Sequence, residues 1–387
     1  MMYYEIAGES NSALLSAVVS GVPAGLRISE EAIDADVARW SSRMRALSGE
    51  GQGSDCEDHV NVLSGVADGR TTGAPIVLVA NNAARRPGGE LQNIPLAGFP
   101  VRPGTVDLGA SLKYDISDCS VLGRRFNDRL DVMRVAASGI ARELLAEFGV
   151  EIISCVTRIG GVSVREDPFA DNAPALSPLD VEMSSVRCPS SQMTRAMEDE
   201  IARAVAQKDT IGGSFALAVY GLHAGIGTAC RDKGSIQSRV AASVFSIEGV
   251  DGIAFCDASA RSLLSGSGAY DKPSLNGTQG FSRASNKSKG IEGGISTGMP
   301  LVVRANVVPS PRIGRSQSSF DMGTLSSCEY RAARYCCCEV PAQAILAEGE
   351  AAFALASMYL EKFGCESMSD IHAAVSSYER RLKMSAR

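Results

Sequence analysis

Apolar positions along this chain fall into two kinds of run. Short β-branched runs of strand length flank glycine turns: ALLSAVVSGVPAGL leads into the turn at Gly25, and APIVLVANN follows Gly73. Other runs keep helical spacing. SEEAIDADVARW starts at Ser29, a residue suited to cap a helix, and sets Ala32, Ile33, Asp36 and Val37 on one face. DRLDVMRVAASGIARELLAEFG (128–149) and VPAQAILAEGEAAFALASMYLEKFG (340–364) predict long helices, each stopped by a glycine.

The pattern occurs twice. GVPAGLRISEEAIDADVAR, from Gly21, is echoed by GLHAGIGTACRDKGSIQSRVA, from Gly221; GRTTGAPIVLVAN, from Gly69, is echoed by GISTGMPLVVRAN, from Gly294. Both matches keep their order, and the period is too long for a solenoid. The expectation is one duplicated domain over 1–387, with approximate halves 1–205 and 206–387. Its fold class is α+β with α/β-type layers.

Composition adds the setting. Charged residues at 21% and hydrophobics at 45% are those of a globular protein. A net charge of -6 argues against the broad basic face that nucleic acid requires. The opening MMYYEIAGES has no secretory pattern and no stretch has the apolar length of a membrane span, so a cytoplasmic location is expected. Eleven cysteines, an odd number, fit a disulfide framework poorly.

Three of those cysteines are consecutive, in RYCCCEVPAQA from Arg334 to Ala344. Adjacent side chains on an extended segment point to opposite sides, whereas a metal needs ligands converging from one side. His59, His223 and His372 are isolated, and no CxxC or HxxxH occurs. Cys336, Cys337 and Cys338 therefore read as small buried residues, with no metal expected.

GESN at Gly8, LSGVADGRTTGAPI, RPGTVD, LKYD, MRVAASGIA, KDTIGG, GIEGGISTGMPLVVRA and VPAQA follow one another in an order that resembles the chorismate synthase family over most of the chain. The resemblance implies a duplicated β-α-β sandwich assembled as a homotetramer. It further implies reduced FMN as cofactor, a link to NADP, and the 1,4-elimination of phosphate from 5-enolpyruvylshikimate 3-phosphate to give chorismate, in aromatic amino acid biosynthesis.

The same resemblance marks where this chain departs. The family's GESHG is Gly8, Glu9, Ser10, Asn11, Ser12 here, and its RPGHAD ends in Thr105, Val106, Asp107. Neither asparagine nor threonine titrates near neutral pH. Aligned on VPA, Cys336 stands at the family's aspartate, with Arg334 retained; a thiol there would transfer a proton only if a cation lowered its pKa. The glycine-rich run before the first long helix is reduced to Gly123, with Arg124 and Arg125 competing for one family arginine position. By resemblance the flavin positions are Arg124, Arg125, Glu248, Gly249, Gly293, Val308, Ser310, Arg312 and Arg334, and the substrate positions are Arg39 and Arg134. Three functions are consistent with this reading: a retained elimination; a silent or regulatory paralogue binding an anionic phosphorylated ligand; and a new enzyme using Cys336.

Overall fold

The computed structural model describes residues 2–47, 58–82, 100–126, 128–171, 173, 176–230, 234–255, 258–276, 280–332 and 335–385. Two antiparallel sheets enclose a layer of helices. The first has the order Tyr3–Ala7, Leu14–Ser20, Ile76–Asn81, Val60–Ser64; the second has Val250–Phe255, Leu301–Val307, Gly213–Tyr220, Glu151–Ile159, with Val162–Ser163 at its edge. Leu14–Ser20 and Ile76–Asn81 lie centrally in the first sheet, as Gly213–Tyr220 and Leu301–Val307 do in the second. Each sheet thus repeats the other in strand order, as a duplicated fold requires. The repeat restarts at Glu151, so the expected division near 205 falls between two paired strands of the second sheet.

Glycines show how closely the halves correspond. Gly65 and Gly290, at φ 81° and 84°, turn the chain beside the strands that begin at Ile76 and Leu301. A Cβ there would lie 2.7 Å from the Pro75 carbonyl oxygen and 2.8 Å from that of Pro300. Side chains are thus excluded twice, at the same place, by the same atom.

Two long helices fill the space between the sheets. Asp131–Ala146 packs against the first sheet and Val340–Phe363 against the second, and the two pack on each other. Helix Val340–Phe363 is buried on nearly every side, from Val340 to Leu360, which explains why its sequence is apolar all round rather than striped. At Gly349 a Cβ would sit 2.1 Å from Ser138 Oγ, so glycine lets the helices approach. Gly364, at φ 108°, ends the run as its sequence predicts. Glu30–Ala46 begins at Ser29, whose hydroxyl accepts from the Ala32 amide at 3.1 Å, and buries Ile33, Val37 and Trp40.

Among the described residues no helix is long and apolar enough to cross a membrane.

Candidate active site

Loops from both halves meet at one end of the sandwich. The Ser10 amide donates to the Arg124 carbonyl at 3.1 Å, which sets loop 8–12 against helix Cys119–Arg125. A Cβ on Gly123 of that helix would lie 2.9 Å from an Arg102 guanidinium nitrogen, so Arg102 lies across it. Gly104, at φ 72°, meets Pro311 where a Cβ would be only 2.6 Å from the proline ring. The Val101 amide donates to the Phe320 carbonyl at 3.0 Å. Asn11, Thr105, Arg124, Ser310 and Arg312 are thereby carried into one neighbourhood by segments far apart in sequence.

Their chemistry is largely committed to the chain itself. The Thr105 hydroxyl donates to the Arg102 carbonyl at 2.9 Å, closing its own turn. The Arg102 guanidinium forks onto Asp107, with Nε to Oδ2 at 2.7 Å, and Asp107 is fully buried. Burial works against the Arg102 charge, yet Asp107 more than offsets it and holds the guanidinium above its ordinary pKa. Arg312 faces Glu339 at 3.6 Å. The Ser310 carbonyl accepts from Thr210 Oγ1 at 2.6 Å.

Helix geometry separates the two competing arginines. Arg125 is exposed and lies over the rings of Tyr114 and Phe126, its guanidinium carbon 4.4 and 5.2 Å from their centroids. Arg124 is half-buried, and its Nε is a buried donor with no hydrogen-bond partner. A buried donor without an acceptor is costly, which makes Arg124 the arginine of this pair that an anion would satisfy.

Cys336 sits behind this cluster. Tyr335 packs where a Gly314 Cβ would come 2.6 Å from its ring, and the Cys336 thiol lies 3.8, 3.6 and 3.4 Å from the carbonyl oxygens of Met44, Leu47 and Cys338. The Cys337 sulfur turns instead toward the Ile201 carbonyl at 3.8 Å. Burial pushes the Cys337 and Cys338 thiols up to about 11 and about 12. The triplet is packed into the helix layer, its sulfurs directed at different elements.

The remaining sequence-derived positions are dispersed. Arg39 binds Asp36, Glu182 and Glu348 at 2.8, 2.7 and 3.0 Å. Arg134 binds Glu350 at 2.8 Å and Asp131 at 3.3 Å, and donates to Ser246. The two expected substrate arginines are thus neutralised within the helix layer. Glu248 is exposed beside Gly249, whose carbonyl accepts from the Val308 amide at 2.8 Å. Gly293, at φ 57°, faces open space. Arg334 lies outside the described residues.

Residue chemistry missed at the sequence level lies in the helix layer and behind loop 8–12. Glu348 is fully buried, paired with Arg187, Arg39 and Arg142, and accepts from Ser154. Burial would raise its pKa, but the three arginines outweigh it and bring the carboxyl down to about 2. Its signal was present in AILAEGEAAF, two carboxylates within an otherwise apolar helix.

Two pseudo-equivalent sheets around shared helices, with a polar loop cluster where the halves meet, define a duplicated β-α-β sandwich of the α+β class. The sequence model of the family described as Chorismate synthase matches residues 2–360. The chain is 34% identical over 390 residues to the chorismate synthase of Rubrobacter xylanophilus, covering 99% of this chain and 98% of that one. It is 35% identical over 386 residues to that of Desulforudis audaxviator, covering 96% and 95%. A solved structure titled Crystal Structure of Chorismate Synthase superposes with a TM-score of 0.81 at 25% identity, covering 99% of this chain and 98% of that one. The chain belongs to the chorismate synthase family.

Proposed function

We propose that this protein keeps the fold and an anion-binding loop cluster of its family but carries out the family reaction weakly or not at all. Chorismate synthases are FMN-dependent lyases of the shikimate pathway, in aromatic amino acid biosynthesis. Eliminating phosphate from 5-enolpyruvylshikimate 3-phosphate requires groups that manage a proton and groups that receive a leaving dianion. The observation that carries the proposal concerns the first requirement. At the three family-equivalent positions stand Asn11, whose neutral amide does not titrate, Thr105, whose hydroxyl is held by the Arg102 carbonyl, and Cys336, whose thiol is buried among backbone carbonyls.

The cofactor positions argue the same way. A phosphate group bears close to two negative charges and takes cationic or amide donors. Among the described residues, Val308 offers an apolar side chain, Arg312 is paired with Glu339, and Glu248 adds a carboxylate next to Gly249. These three positions do not offer the free donors that the phosphate of FMN requires. Arg124, with its unpartnered Nε, is the described cation best placed to receive a small phosphorylated anion.

The reading favoured second is a regulatory paralogue that binds such an anion without turnover; the engagement of Arg102 by Asp107 and the burial of Cys336 speak against a new thiol-based enzyme. Assembly as a homotetramer is part of the proposal and is checked by light scattering. The deciding assay is anaerobic chorismate formation with reduced FMN, for the native chain and for the variant Asn11→His, Thr105→His, Cys336→Asp. Little or no turnover by the native chain is expected. Family-like turnover by it would reject the proposal.

A further inference from the structure

Loop 8–12 is shaped from behind by a single amide. Asn82 is buried, follows the strand Ile76–Asn81, and directs Nδ2 at the Ser10 carbonyl, 2.9 Å away, and the Ser12 carbonyl, 3.0 Å away. Its backbone amide also donates to the Ala13 carbonyl at 3.0 Å. On the other side, Oδ1 accepts from Arg129 Nε at 2.8 Å. The orientation of this amide is settled by chemistry: the two carbonyls only accept and the guanidinium only donates, so a flipped Asn82 would oppose like with like at all three contacts.

Arg129 is itself immobilised. Its terminal nitrogens bind both oxygens of buried Asp58, one at 2.6 Å, and its side chain is 14% exposed. A planar guanidinium gripped at one edge by a carboxylate presents its Nε in a fixed direction. The loop adds local bonds of its own, with the Glu9 amide donating to Ser12 Oγ at 3.1 Å and the Ser12 amide to the Glu9 carbonyl at 3.1 Å. These close the turn, whereas Asn82 fixes where the turn sits against Arg124.

We infer that Asn82 is the positioning residue of loop 8–12, and that Arg129, held by Asp58, sets the direction of its amide. Arg129 then serves the protein's own loop rather than an incoming anion, unlike Arg124 five residues before it in the remnant of the glycine-rich run. The chain Asp58, Arg129, Asn82, loop 8–12 ends at the position of Asn11. The inference rests on reading loop 8–12 as part of the site.

Hydrogen exchange resolved to single amides tests it on the full-length protein. Asn82→Asp keeps the size of the side chain and its contact with Arg129, but no longer donates to the Ser10 and Ser12 carbonyls. The amides of Glu9, Ser10 and Ser12 should then exchange about tenfold faster or more, while helix Val340–Phe363 keeps its protection. Arg129→Lys, which retains the charge opposite Asp58 without the planar fork, should give a smaller increase at the same amides. Unchanged loop exchange in Asn82→Asp overturns the inference. Equal loss of protection in loop and central helix in both variants also overturns it, since that would be a general stability role. No substrate enters the measurement, so its failure and a failure of the chorismate assay are separate results.

Discussion

Thr71 and Ser296 do the same work in the two halves of the molecule. Thr71 Oγ1 donates to the Pro23 carbonyl at 2.6 Å and accepts from the Leu26 amide at 2.9 Å; Ser296 Oγ donates to the His223 carbonyl at 2.6 Å and accepts from the Ile226 amide at 2.8 Å. Each hydroxyl thus pins the GVPAGL or GLHAGI turn to the opposite Gly-rich ribbon. The correspondence covers the backbone as well, since the Gly25 and Gly225 amides donate to the carbonyls of Thr71 and Ser296 at 2.8 and 2.9 Å.

Thr71→Val and Ser296→Ala should therefore destabilise to a similar extent. Each leaves a backbone amide and a carbonyl unpaired in a buried turn, which costs about 1–3 kcal/mol. Urea unfolding monitored by circular dichroism gives the two values. A loss in one variant with none in the other would show that the turns, though alike in shape, are not equally needed.

The buried carboxylate Glu348 makes stability depend on acid pH. Its folded pKa, about 2, lies below the ordinary 4.5, so the unfolded chain binds the proton more tightly. The stabilisation is fully present above the unfolded value and is lost as pH falls through 4.5 toward 2. Its size is about 3 kcal/mol. Unfolding free energies measured from pH 7 down to pH 2.5 should fall over the lower part of that range. Glu348→Gln should remove that part of the slope and cost about 3–5 kcal/mol at pH 7, because Arg187, Arg39 and Arg142 lose their shared partner. A slope unchanged in the variant would assign the acid sensitivity to other groups.

Thiol mapping should divide the cysteines by location. Cys230 and Cys365 are exposed and should be alkylated by iodoacetamide in the native protein. Cys336, Cys337 and Cys338 are buried and should react only after unfolding. Mass spectrometry of tryptic peptides distinguishes the two sets. Native labelling of Cys336 would revive a chemical role for that thiol.

Oxidised and reduced FMN, titrated separately into the protein at micromolar concentration, should give weak binding or none. The expectation follows from Val308, Glu248 and the Arg312–Glu339 pair at the flavin-equivalent positions. Stoichiometric quenching of flavin fluorescence would mean that the altered loops still close on the cofactor.

The sequence made the architecture legible because the fold is written in local signals. Glycine turns, the Ser29 cap and the two uninterrupted helical runs each depend on residues a few positions apart, and duplication displayed most of them twice. The seam at Glu151 was missed, since EIISCVTRI has no matching motif near the N-terminus beyond its strand length. Site chemistry was harder to read. An arginine's role depends on whether a carboxylate stands within about 4 Å, and Arg39, Arg134 and Arg129 find theirs at Glu348, Glu350 and Asp58, far away in the chain. Spacing could mark these arginines as cations without showing that they were already paired.

The central helix Val340–Phe363 has a consequence for the molecule's divisibility. It is supplied by the second half, yet it packs on Asp131–Ala146 and Glu30–Ala46 of the first half as well as on the second sheet. A polypeptide cut at the seam would leave the N-terminal piece with the inner faces of those helices bare, and the C-terminal piece with a long apolar rod missing half its neighbours. The two halves look like repeats but share one interior. Neither can be removed, exchanged or expressed alone without exposing the other's core to water.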